Sequence, residues 1–134
     1  MVTQETNPIE AGYAAGASDP AAATVWCERY AHKHYENFSV VTRFLPKRLH
    51  TPMYTVYAYC RFTDDLGDEA AGDRLALLNE WEAELGRAYA GQASHPIGVA
   101  LGRVVDEFQI DRDPFARLIE ANRRDQTQSR YETY

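Results

Sequence analysis

Four of the six prolines in this chain each open a stretch whose apolar residues recur every three or four positions. Pro20 follows Asp19, Pro52 follows Thr51, Pro96 follows Ser94-His95, and Pro114 follows Asp113. A proline in the first helical turn loses nothing by lacking an N–H, since that donor has no partner within the helix, and a polar residue before it can cap the turn. Helices are therefore predicted from Pro20 to about Glu36, from Pro52 to about Glu69, from Pro96 onward, and from Asp113-Pro114 to Arg124–Arg130. Gly72-Asp73 opens one more, running to about Ala90 and stopped by Gly91.

The apolar faces follow from the spacing. Ile97, Ala100, Leu101, Val104, Val105 and Phe108 form the cleanest stripe. Leu77, Trp81, Leu85 and Ala88 form a second, and Phe115, Leu118, Ile119 and Asn122 a third. Ala23, Cys27, Tyr30 and His34 share a face with Trp26 beside it, and Met53, Val56 and Cys60 are the expected core face of the Pro52 helix. The segment from Ser39 to Arg48 suits a short helix or turn. No segment alternates as a strand would, so the fold class is expected to be all-α.

With 134 residues the chain is read as a flexible tail, 1–18, followed by a helical domain, 19–134. A net charge of −6 argues against a nucleic-acid partner, whose footprint would be basic. No apolar run is long enough to span a bilayer, and the N-terminus lacks the basic start and apolar core of a signal peptide. Cys27 and Cys60 stand in no metal-ligand spacing and are expected as free thiols in a reducing compartment. His32, His50 and His95 have no partner spacing and are expected at the surface.

The Pro52 helix carries the chemistry. Tyr57, Arg61, Asp64 and Asp68 lie four, three and four residues apart, which puts an aromatic ring, a cation and two carboxylates on one face. Asp65 and Glu69 make the acids four within six residues. Acidic runs are most often solvated faces. Here, however, they crowd the C-terminal end of a helix, where the macrodipole disfavours them, and they repel one another at i,i+4. A cation would relieve both. The calcium-loop pattern fits no register, whereas Mg²⁺ takes one or two carboxylates and completes its shell with water and phosphate oxygens. Arg61 suits the same phosphate. Tyr57 and Phe38 suit an apolar or cationic group beside it.

The string Tyr57-Ala58-x-Cys60-Arg61-x-x-Asp64-Asp65-x-x-Asp68 resembles the first aspartate-rich motif of squalene and phytoene synthases. Glu36-Asn37-Phe38-Ser39-Val40, the Asp64 to Glu69 cluster and Asp125-Gln126 resemble the bacterial hopanoid-pathway branch that makes hydroxysqualene, with Ser39 standing where that branch has proline. The resemblance covers about Trp26 to Tyr134. It implies the N-terminal half of an isoprenoid-synthase-type helical bundle that joins or ionises isoprenoid diphosphates. In that family Asp64 and Asp68 would hold Mg²⁺ with Asp65 in support, and Arg61 would hold diphosphate oxygens. Tyr57 and Phe38 would line the pocket, with His34 and Asn37 near the diphosphate.

The implied substrates are farnesyl or presqualene diphosphate. The implied location is cytoplasmic, with peripheral contact at the inner membrane through an insoluble product. Two other readings stay open: a helical interaction module, or truncated product, that docks on a partner, and a relative of the head-to-tail prenyl diphosphate synthases.

The family's second aspartate-rich motif, Asn-x-x-Arg-Asp-x-x-Glu-Asp, is absent from these residues, and Arg130-Tyr131-Glu132-Thr133-Tyr134 reads as the approach to a further helix. The sequence is therefore expected to be a fragment. On its own, the purified 134-residue chain is expected to give no turnover of farnesyl or presqualene diphosphate, which product analysis by chromatography checks.

Overall fold

The computed structural model describes residues 8–14, 19–34, 43–68 and 73–132, with side chains as far as Gln126 in the last stretch. Among them all regular structure is helical: α1 (Pro8–Ala14), α2 (Pro20–His34), a 3₁₀ turn (Lys47–Leu49), α3 (His50–Asp68), α4 (Arg74–Ala90), α5 (Pro96–Phe108) and α6 (Asp113–Glu132).

Local chemistry sets the boundaries. The Asp19 carboxylate accepts from Ala22 N at 3.1 Å, and the Asp73 carboxylate from Ala76 N at 3.0 Å. Gly91 ends α4 at φ 76°, in the left-handed region that glycine enters without a side-chain clash. α3 begins two residues before Pro52, continuous with the 3₁₀ turn. Pro52 still lies in the first turn, where its missing N–H breaks no bond.

α3 is the central element and packs against α2, α4, α5 and α6. Its buried face is Ala58, Tyr59, Phe62 and Leu66, which meets Leu78 and Trp81 of α4, Ile97 and Leu101 of α5, and Phe115 and Ile119 of α6. Burying each large apolar side chain stabilises by about 1.5–3 kcal/mol. The Tyr59 ring stacks on Trp81 at 6.0 Å and meets Phe115 edge-on at 5.1 Å. Its hydroxyl donates to Phe115 O at 2.7 Å. Trp81 Nε1 donates to Thr63 Oγ1 at 2.9 Å, and that hydroxyl donates to Tyr59 O at 2.7 Å.

Three expectations change. Met53 is 38% exposed, and Val56 and Cys60 only pack partly against the core, because the aromatic face of the same helix buries more apolar area. Phe108, at the far end of its stripe, is also 38% exposed. The stretch read as a flexible tail contains α1, whose Ile9 is fully buried. Gly12 makes that docking possible, since a Cβ there would lie 2.0 Å from His95 Nε2.

His95 is likewise not at the surface. Its ring is buried among Tyr13, Trp26, Phe62 and Trp81, with centroids 5.0 to 5.7 Å away. Its Nδ1 accepts from Ile97 N at 3.1 Å and caps α5. Next to it, the Glu84 carboxylate is 1% exposed and is held by four donors. These are Ser94 N (2.9 Å), His95 N (2.8 Å), Arg87 Nε (2.8 Å) and Tyr13 OH (3.4 Å). A buried carboxylate is tolerable only when paired in this way.

Burial lowers the His95 pKa from 6.5 to about 4. The unfolded chain therefore binds the extra proton first, and the stability that His95 contributes is complete above pH 6.5 and lost as pH falls toward 4. Urea unfolding across that window is expected to lose on the order of 3 kcal/mol from this group, and His95→Phe is expected to flatten the dependence.

Candidate active site

The helical repeat of about 100° per residue separates the two jobs of α3. Tyr54, Ala58, Phe62 and Leu66 turn inward, while Asp64 and Asp68 are exposed together one turn apart. Tyr57 and Arg61, upstream on the same stripe, are half-buried. Tyr57 packs beside Ala31 and Tyr54. α2 lies on one flank of the stripe and α6 on the other.

Asp65 faces the α2 flank. Its Oδ2 accepts from Tyr30 OH at 2.9 Å, and its Oδ1 lies 3.1 Å from Arg61 Nε in an i,i+4 ion pair. Both carboxylate oxygens are thus engaged within the protein. Asp65 does not join Asp64 and Asp68, and among the described residues no group of three or more acidic, histidine or cysteine side chains converges on a metal position. The reason is angular. Asp65 sits about 100° around the helix from Asp64, which turns its carboxylate toward Tyr30 and Arg61.

The His34 ring packs against Tyr30 at a tilt of 49° with centroids 4.4 Å apart, which links it through Tyr30 to Asp65 and Arg61. Tyr30 is a member of the site that motif reading missed. Its signal was its place one turn before His34 on the same face of α2. Burial first, then the hydrogen bond to Asp65, push the Tyr30 phenol well above its ordinary range, so it stays a donor. Burial, aided by the Asp64 charge, also raises the Cys60 thiol, consistent with packing and not with a thiolate. Asn37 and Phe38 lie outside the described residues.

On the α6 flank, Asn122 Nδ2 donates to Asp64 Oδ1 at 3.2 Å, and Gln126 Nε2 donates to Gly67 O at 2.6 Å. The carboxylates of Asp64 and Asp68 are open to solvent. Two exposed carboxylates one turn apart suit a hard cation that keeps several waters and fills its shell with phosphate oxygens.

Tyr30→Phe removes the donor to Asp65 and is expected to lower unfolding stability by about 0.5–1.5 kcal/mol in urea titrations. Asp65 is expected to hold Arg61 less firmly as a result.

The family model for squalene/phytoene synthase matches residues 31–134. The 15-cis-phytoene synthase of Synechococcus elongatus is 32% identical over 110 residues, covering 81% of this chain and 36% of that protein. The phytoene synthase of Arthrospira platensis is 30% identical over the same length, with the same coverage. The chain thus spans about a third of the length of these relatives. The crystal structure of squalene synthase HpnC from Alicyclobacillus acidocaldarius superposes with a TM-score of 0.75 at 50% identity, covering 84% of this chain and 44% of that one. On sequence and on fold, this chain belongs to the squalene/phytoene synthase family.

Proposed function

We propose that this chain supplies one wall of a site that ionises an isoprenoid diphosphate for head-to-head prenyl transfer. The observation that carries the reading is the pairing of exposed Asp64 and Asp68 one turn apart, with Arg61 one turn upstream, in a member of this family. Asp64 and Asp68 would hold Mg²⁺. Bound there, the ion would draw charge from the diphosphate as the allylic C–O bond breaks. Arg61, oriented by Asp65, binds diphosphate oxygens and stabilises the charge that develops on them. Tyr57 presents its ring to the carbocation, a contact worth up to ~2 kcal/mol when desolvated. His34 lies at the diphosphate end through its ring contact with Tyr30. Asn37 and Phe38 belong to the same pocket by their place in the motif.

The substrate is farnesyl or presqualene diphosphate, and the branch is that of the bacterial hopanoid pathway, with hydroxysqualene or squalene as product. The 50% identity to squalene synthase HpnC, against 32% or less to the two cyanobacterial phytoene synthases, supports squalene-type over phytoene-type chemistry. No described helix is long and apolar enough to cross a membrane, and contact with the inner membrane would come through the lipid substrate and product.

Calorimetric titration of the full chain with Mg²⁺ in the presence of inorganic pyrophosphate tests the site. Asp64→Ala and Asp68→Ala are each expected to weaken binding by about tenfold or more, which is about 1.4 kcal/mol. Unchanged affinity in both variants would rule the proposal out.

A further inference from the structure

We propose that Asn122 is a positioning residue for Asp64, and that Gly67 is a glycine because the Asn122 amide occupies the space its side chain would need. The proposal rests on the reading of Asp64 as a cation ligand. Asn122 is 4% exposed, whereas the carboxylate it touches is exposed. Its Nδ2 donates to two oxygens, Asp64 Oδ1 at 3.2 Å and Leu118 O at 3.0 Å. Both are acceptors, so the amide orientation is dictated by its partners: NH₂ toward them, Oδ1 away.

That Oδ1 sits over α3. A Cβ on Gly67 would come within 2.1 Å of it and within 3.0 Å of Asn122 Cβ. A glycine inside a helix ordinarily costs up to about 1 kcal/mol of helix propensity relative to alanine. Here it leaves room for a donor that reaches Asp64 from below.

The seat is held independently of Asp64. Arg123, the next residue, grips Asn79 Oδ1 of α4 through Nε (3.1 Å) and Nη2 (2.8 Å) and pairs with Glu82. Gln126, one turn on, donates to Gly67 O at 2.6 Å, a carbonyl in the last turn of α3 where the helix supplies no partner. The face of α6 that presents Asn122 is therefore fixed to α3 and α4 by bonds of its own.

The chemical type matters as much as the position. Asp65 is paired with a cation, Arg61, so its charge is already compensated. Asp64 is held by a neutral amide, which fixes one oxygen and leaves the negative charge and Oδ2 for a ligand. Outer hydrogen bonds of this kind orient metal-binding carboxylates, and their loss typically weakens metal binding by about 10- to 100-fold.

Two measurements on the full chain test this. The first needs no metal. The side-chain amide resonances of Asn122, assigned by their loss in Asn122→Leu, are expected to shift in Asp64→Asn. Resonances that stay in place would overturn the contact. The second is a double-mutant cycle read by Mg²⁺ affinity in the presence of inorganic pyrophosphate. Asn122→Leu is expected to weaken binding about tenfold in the wild-type background and to add nothing in Asp64→Asn. Equal losses in both backgrounds would reduce Asn122 to a structural role and overturn the proposal alone. Unchanged affinity in Asp64→Asn would instead overturn the cation reading of Asp64, and the positioning role with it. Should Asn122→Leu fail to fold, Gly67→Ala, which displaces the amide and leaves its donor in place, carries the same cycle with the same expected loss.

Discussion

The hydroxyl of Thr63 is the point on which the bundle turns. It accepts from the Trp81 indole and donates to the Tyr59 carbonyl, while the Tyr59 hydroxyl reaches across to Phe115 O. Each of these groups is buried. Left unpaired, each would cost about 1–3 kcal/mol, so only a register that satisfies them together is tolerated. α3 is thereby locked to α4 and α6 in rotation as well as position. With the inner face fixed, the outer face is fixed too, and Asp64 and Asp68 stand out side by side. A helix held by apolar contact alone could rotate by a few degrees at small cost. One pinned by directional bonds holds its carboxylates in a fixed direction.

The chain treats its carboxylates in three ways. Glu84 is sealed inside and surrounded by donors, so it works as a structural anion. Asp65 is half-buried and committed to a tyrosine and an arginine. Asp64 and Asp68 are left in solvent, and the first accepts from a neutral amide. The gradient from fully compensated to uncompensated negative charge runs along two adjacent helices. It separates the acids that build the protein from those with charge to offer a ligand.

Much of this was legible in the sequence because it is local. Helix starts at Asp19-Pro20 and Asp73, the stop at Gly91 and the stripe of the Pro96 helix follow from caps and periodicity that depend on neighbouring residues alone. The spacing of Tyr57, Arg61, Asp64 and Asp68 already left Asp65 off the stripe. What failed was non-local. Nothing near His95 announces a box built from α1, α2, α3 and α4, and nothing in the first eighteen residues announces that Ile9 has a place in the core. Gly67, a glycine inside a helix, makes sense only once Asn122 is seen against it, 55 positions later in the chain.

The four donors around Glu84 have a consequence for how the molecule opens. One carboxylate joins α1 through Tyr13, the α4–α5 loop through the amides of Ser94 and His95, and α4 through Arg87. Each donor that leaves weakens the compensation of a buried charge, which couples the opening of these elements to one another. The amides of Ser94 and His95 are both spent on this one carboxylate, so their exchange with solvent would require the loop to lift off Glu84 and leave part of a buried charge uncompensated.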